Sequence, residues 1–231
     1  MNDECLICGA PLEYLGNAEM MECSLCRRTE LSRTKCTSGH YVCNECHTNG
    51  IDKIMELCMK NTSRNPIEIL ELMMSQPFCH MHGPEHHIMV GAALLTAYKN
   101  AGGDIDLSSS LSEMIERGSS VPGGACGFWG ACGAGVSAGI FIAVISKSDP
   151  LTVEPFRLSH FMTAKALEAI GTVGGPRCCK RDSFLAVSCA VDFVRENFGI
   201  EMEKSNITCH YSHLNNQCIG QRCPFSKANR K

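Results

Sequence analysis

Cysteine and histidine carry the chemistry in this sequence. The first 48 residues hold Cys5-x-x-Cys8 and Cys23-x-x-Cys26, then Cys36, His40 and Cys43-x-x-Cys46. Zinc takes four soft or borderline ligands in a tetrahedron, and each Cys-x-x-Cys pair can span one of its edges. Eight such ligands make two sites, with His47 as a spare. Gly9, just after the first pair, can take the positive φ that turns backbone amides toward sulfur. Two pairings are open. The sequential one joins Cys5/Cys8 to Cys23/Cys26 and Cys36/His40 to Cys43/Cys46, and it is preferred here. The cross-brace joins Cys5/Cys8 to Cys36/His40 and Cys23/Cys26 to Cys43/Cys46.

A second cysteine set follows. Cys126 and Cys132 stand among glycines, where backbone can approach a ligand closely, and Cys132 opens a helix whose dipole favours thiolate. Cys178 and Cys179 precede Lys180 and Arg181, a grouping suited to an anion or an anionic cluster. Cys209, Cys218 and Cys223 lie in the tail. By count and context these seven are expected to hold an iron–sulfur cluster, although their spacing matches no ferredoxin run. Reduced thiols packed among small residues, or a further zinc site, are the competing readings. Cys58 and Cys189 sit among apolar residues at helical spacing and read as inert core cysteines.

Histidine forms the third constellation: Cys79, His80, His82, His86 and His87 fall within nine residues, with Glu85 between. Imidazole binds metals and shuttles protons near neutral pH. His82, His86 and Glu85 are therefore candidate acid/base groups bordering the cluster, and Arg181 (with Lys180) a candidate holder of an anionic substrate. A zincin-type hydrolase is disfavoured, because Gly83 and Pro84 interrupt the helical ligand spacing.

The elements that must position these residues are mostly helices. Residues 1–48 contain too little apolar material for a core and need metal as a staple. They are expected to form a zinc-ribbon or treble-clef-like head, with residues 11–15 and 19–23 pairing as a hairpin. A linker near 47–50 leads to a helical Cys/His-rich domain over 49–231. Ile51, Ile54, Met55 and Cys58 recur at helical spacing, Pro66 opens a second helix, and Pro84 opens a third that Gly102 and Gly103 end. Ser110 and Glu113 read as a capping box for a short helix. An apolar helix starts near Ala131, and helices over 155–170 and 183–198 are closed by Gly171 and Gly199. The tail from 205 reads as loop. The fold class is mainly α.

The segment His82-Gly-Pro-Glu-His-His, the run Pro-Gly-Gly-Ala-Cys126-Gly-Phe-Trp-Gly-Ala-Cys132-Gly-Ala and the run Arg-Cys178-Cys179-Lys-Arg resemble a family of uncharacterised Cys-rich proteins of methanogens and other anaerobes. The resemblance spans roughly residues 35–225. More distantly, the layout is similar to the helical redox family named for its Cys-Gly-Cys-Ala-x-x-Gly signature, with Phe-Trp-Gly-Ala inserted between the two cysteine motifs. The resemblance implies redox or sulfur/metal handling.

Composition bounds the rest. The chain has 231 residues, 17 Cys, 12 Met and a net charge of −3. That charge gives no electrostatic reason to expect nucleic acid. The N-terminal MNDECLICG has neither a basic nor an apolar signal region, so a cytoplasmic, reducing setting is expected for these thiols. So much oxidisable sulfur suits an anaerobe. The apolar stretch 131–145 is too short to span a bilayer. The expected partners are a small anionic or sulfur-containing substrate and a protein docked on the head. The expected cofactors are zinc and an iron–sulfur cluster. The alternative function is a non-catalytic, zinc-dependent interaction module or scaffold.

Overall fold

The computed structural model describes Cys5, residues 7–8, 10–47 and 51–229. Gly9 and residues 48–50 of the expected linker lie outside the described residues. The protein is mainly helical, with a small two-stranded sheet at its N-terminal end.

Strands β1 (Leu12–Glu22) and β2 (Thr29–Cys36) pair antiparallel, from Leu12 opposite Cys36 to Glu22 opposite Thr29. This corrects the expected hairpin: residues 12–15 and 19–22 belong to one strand. Gly16 and Asn17 do not turn the chain. They sit in an irregularity of β1 between Tyr14 and Glu19. The reversal is made instead by the Cys23–Cys26 knuckle, where Cys23 N–H donates to Arg28 O (2.8 Å) and Arg27 N–H to Cys23 O (2.9 Å). A single turn of helix, α1 (Asn44–His47), ends the head. Its own core is small: Met21, Cys23, Tyr41 and Cys43.

The remaining helices are α2 (Ile51–Lys60), α3 (Pro66–Met74), α4 (His86–Asn100), α5 (Leu107–Ser119), α6 (Ala125–Phe128), α7 (Gly133–Ile145), α8 (Glu154–Val173) and α9 (Cys179–Phe198). Among the described residues no strand follows β2. Helix α4 is the axis of the domain. It is buried from His86 through Tyr98, with α2, α3, α5, α7 and α9 packed around it. A helix apolar on all sides is one that neighbours cover on all sides. Pro84 stands two residues ahead of α4, in the turn closed by His87 N–H to Pro84 O (2.9 Å). Helix α7 packs on α8 through Gly135 and Gly139; a Cβ at Gly139 would collide with Thr163 Oγ1, and one at Gly135 would press on Leu167.

Three boundaries differ from the sequence expectation. Helix α5 starts before Ser110: Asp106 is its cap, accepting Ser109 N–H at 2.8 Å, and Ser110 is buried inside it. Asp competes equally with Ser as a cap, and here it also leaves Leu107 and Leu111 within the helix. Helix α8 runs past Gly171 to Gly174, whose φ of 77° ends it. Helix α9 begins four residues early, at Cys179. Lys180, Arg181 and Asp182, which the sequence expectation leaves outside the helix, are all buried in its first turn. The tail runs over α9 and the 79–87 segment in three short 3-10 turns. No helix among the described residues is long and apolar enough to cross a membrane.

Candidate metal centres and the cavity beside them

In the head, the ligand atoms of Cys5, Cys8, Cys36 and His40 all lie within 4.8 Å of one another, as do those of Cys23, Cys26, Cys43 and Cys46. His40 Nδ1 is 3.2 Å from Cys8 Sγ, Cys8 Sγ is 3.9 Å from Cys36 Sγ, and Cys26 Sγ is 3.6 Å from Cys43 Sγ. A zinc tetrahedron with bonds of about 2.3 Å has edges of about 3.8 Å, so both groups have the dimensions to hold one ion. The grouping is the cross-brace, which overturns the preferred sequential pairing. The reason is the strand register. It sets Cys36 opposite Leu12, beside the first knuckle, while a bridge from Cys23 to Tyr41 brings the last knuckle to the second. Backbone N–H groups point at the sulfurs: Ile7 to Cys5, His40 to Cys36 and Cys43 to Cys23, at 3.2–3.4 Å. The N–H of Ala10 holds the Cys8 thiol down at about 6. Burial resists the same shift at Cys23, but N–H groups of Cys26 and Cys43 bring it to about 6 as well. Such thiols are ready to shed protons to a metal.

The histidine segment forms two further groups that share one carboxylate. Glu85 is 1% exposed. It belongs with His47 and His80 on one side and with Cys79 and His86 on the other. Burial pushes the Glu85 carboxyl up, and the neighbouring His47 and His80 rings outweigh this and hold it well below the carboxylate range. His86 is driven to about 3, by burial and then by Lys180, so its ring is neutral. Its Nδ1 donates to Gly83 O (3.1 Å), leaving Nε2 toward Cys79 Sγ at 3.7 Å. Cys79 is pushed up to about 11 by burial, and it accepts from the buried Lys180 Nζ at 2.8 Å. The expected acid/base trio is therefore divided. His86 and Glu85 share an interior cluster, while His82 lines the cavity described next, with Nε2 3.4 Å from Asn215 Oδ1.

A cavity of about 450 Å³ lies between the head and the helical domain. Arg33, Lys35, His40 and His47 line it from the head; His82, His87, Cys126, Arg177 and Cys179 line it from the helices. His87 Nδ1 donates to Val121 O at 3.0 Å, and its ring fills the space a side chain at Gly133 would need. Burial holds Cys179 well above the usual thiol value, so it is a protonated thiol here.

The seven expected cluster cysteines fall into two groups. Cys126 and Cys179 line the large cavity, with Cys132 beside them donating to Asp182 Oδ2 at 3.8 Å. Cys178, Cys209, Cys218 and Cys223 line a second pocket together with Arg181 and Asn215. Two of these sulfurs each accept a backbone N–H from two residues further along. The donors are Tyr211 to Cys209 and Gly220 to Cys218, both at 3.4 Å. Among the described residues no three of them come within 4.8 Å of one another, unlike the head groups. Arg181, the expected anion holder, is internal: its Nε donates to Asp182 Oδ1 (2.9 Å) and its Nη2 to Pro176 O (3.1 Å). Asn215 escaped the sequence reading, since nothing local marks it. Its Nδ2 donates to Cys178 Sγ at 3.6 Å.

The model described as "Family of unknown function (DUF5714)" matches residues 54–226, well over half of the chain. The match starts within α2, takes in the tail cysteines and leaves out the head. No curated protein and no solved structure matches the chain.

Proposed function

This chain belongs to the family of unknown function DUF5714, and from that premise we propose that it is a cytoplasmic metalloprotein of redox or sulfur-handling chemistry. Two zinc ions staple the head, on Cys5/Cys8/Cys36/His40 and Cys23/Cys26/Cys43/Cys46. An iron–sulfur cluster is held by Cys178, Cys209, Cys218 and Cys223.

The observation that carries the reading is the tail pocket. Four cysteines from three separated segments line one small pocket, and the sulfurs of Cys209 and Cys218 each accept a backbone N–H. Burial holds the Cys178 and Cys223 thiols above their ordinary value, so a bound metal would have to displace their protons, and hydrogen bonds from backbone N–H groups to sulfur set the potential of a bound cluster. No three of the four sulfurs lie within 4.8 Å of one another among the described residues, so they do not make a single-ion site of the kind found in the head. Burial raises both Cys178 and Cys223, and the nearby Arg181 guanidinium opposes that rise at each. A cluster bound there supplies one-electron transfer. The chain's own part is to bury it, orient Cys178 through Asn215 and connect it to the cavity, since Cys178 and Cys179 are joined by one peptide and face different pockets. The 450 Å³ cavity takes a small anionic or sulfur-containing substrate, with Arg177 as the cation and Cys126 and Cys179 as thiols. All 17 cysteines are free, which suits a reducing compartment.

A second reading has its own support: Met20 and Leu31 face each other across β1 and β2 and are 63% and 67% exposed. An exposed apolar pair on the head suits a docked protein, so an interaction module or scaffold is the alternative.

The test is protein purified without oxygen, assayed for zinc, iron and acid-labile sulfide. The expected result is two zinc per chain plus iron and sulfide, with broad visible absorption. Cys209→Ser and Cys218→Ser each lose the colour, the iron and the sulfide while keeping both zinc ions. A colourless protein holding zinc alone would rule out the cluster and leave the scaffold reading in front.

A further inference from the structure

We propose that His47, His80 and Glu85 form a third metal centre in this protein, a two-histidine, one-carboxylate site for a divalent first-row transition ion at the junction of head and helical domain. It goes beyond the thiolate sites above and depends on none of them.

Three observations lead to it. The ligand atoms of the three residues converge within 4.8 Å. Glu85 Oε2 lies 3.6 Å from His47 Nδ1, and Glu85 Oε1 lies 3.3 Å from His80 Nδ1. Donors each about 2.1 Å from one ion stand about 3.0–3.4 Å apart, close to what is found. Second, Glu85 Oε2, His47 Nδ1 and His80 Nδ1 are all buried without a hydrogen-bond partner. Direct His–carboxylate hydrogen bonds would close to about 2.8 Å, and here none does. Three orphaned polar atoms aimed at one point would each cost roughly 1–3 kcal/mol without a ligand between them. Third, the carboxylate is pre-set. Glu85 Oε1 accepts the His80 backbone N–H at 2.8 Å, and Gly83 leaves the space that Glu85 Oε2 occupies, where any Cβ would collide with it.

The neighbouring group of Cys79, Glu85 and His86 is the weaker candidate. Lys180 Nζ already sits 2.8 Å from Cys79 Sγ, and an ammonium there repels a cation.

Two imidazoles and a carboxylate make a harder donor set than the thiolates elsewhere in the chain, which favours Fe2+ or Mn2+ and admits Zn2+. Three protein ligands leave coordination positions for water or substrate. His47 and Gly83 also line the 450 Å³ cavity, so the ion borders that space. His47 follows Cys46 of the second head site directly, while His80 and Glu85 lead into α4. The ion thus ties the head to the bundle across the mouth of the cavity.

The experiment uses full-length protein with both head sites zinc-filled, titrated with Mn2+, Fe2+ and Zn2+ in turn without oxygen. Bound Mn2+ is read by electron paramagnetic resonance and the other ions by calorimetry. One further ion per chain is expected, weakened more than about 100-fold in Glu85→Gln. His47→Gln, at the partly exposed edge, gives the same comparison should Glu85→Gln fail to fold. Far-UV circular dichroism and the two-zinc content stay unchanged in the variant that is scored. No additional ion from any of the three metals, or equal affinity in wild type and variant, overturns the site. Iron and sulfide in the tail pocket are assayed separately, so this result and that one fail independently.

Discussion

Stripping metal from the protein will unfold the head and leave the helical bundle standing. The head has almost nothing else to hold it. Its core is four residues, two of them ligands, and its sheet is a single pair of strands with Met20 and Leu31 out in solvent. A lone two-stranded hairpin is marginal in water. A structural zinc contributes roughly 10–16 kcal/mol of apparent binding energy, more than any other contact available to residues 5–47. The bundle is different in kind. Its core runs through α2 to α9 around α4 and draws nothing from the head cysteines. With a strong chelator, limited proteolysis should cut within residues 10–47 first, while far-UV helicity changes little. The crossed ligand pairing sharpens the expectation. Cys23 and Cys26 group with Cys43 and Cys46, and Cys36 and His40 of the other group lie in the chain between those two pairs. Cys46→Ser should therefore release close to two zinc ions per chain. Release of one, with the Cys5/Cys8/Cys36/His40 site intact, would mean that the two sites fold separately. A head that stays protease-resistant without metal would show that strand pairing alone suffices.

Arg181→Met will be among the most damaging single substitutions in the helical domain. Arg181 and Asp182 have side chains only 3% and 5% exposed, and they pair at 2.9 Å in the first turn of α9. Removing one partner of a buried ion pair leaves the other charge stranded and typically costs about 3–5 kcal/mol. Whole domains are stable by only about 5–15 kcal/mol, so urea unfolding should register a large loss. The pH dependence has a definite sign. Burial holds the Asp182 carboxyl above its ordinary value, and Arg181 opposes that rise. Without the guanidinium the folded carboxyl binds its proton more tightly still. The folded variant then binds more protons than the unfolded chain between the unfolded and folded values, and its stability falls as pH rises through that window. The deficit against wild type is largest above the window and narrows toward acid. Arg181→Met with Asp182→Asn removes both charges and should recover much of the loss. A single variant within about 1 kcal/mol of wild type would show that the pair is solvated.

Much of this molecule could be read from its residues, and the unread part has a common cause. The Cys-x-x-Cys knuckles announce the head ligands because the tetrahedral edge is local in sequence. Pro66, Gly102 and Gly199 announce helix ends because their backbone preferences are local too. The crossed pairing of the head sites is not local: it follows from Leu12 lying opposite Cys36 and Cys23 bridging Tyr41. The start of α9 was hidden by Lys180, Arg181 and Asp182, three polar residues whose burial depends on Cys79, Pro176 and each other. The split of the loop cysteines between two pockets turns on Cys178 and Cys179 facing apart across one peptide. His47 and Glu85 are 38 positions apart in the chain. Their meeting required the head to fold back on the turn before α4.

The seam between α7 and α8 imposes a volume rule on how this family can change. Position 139 has no room for even a methyl group because Thr163 Oγ1 already fills that space, and the Ser159 carbonyl stands just behind it at 3.2 Å. Drift at either helix is therefore coupled: a lineage that gains an alanine at 139 must give up bulk at 163, or let the two axes move apart and loosen the wall that carries Phe141 and Met162 into the core. The two sites behave as one heritable unit of space, although they stand 24 positions apart in the chain.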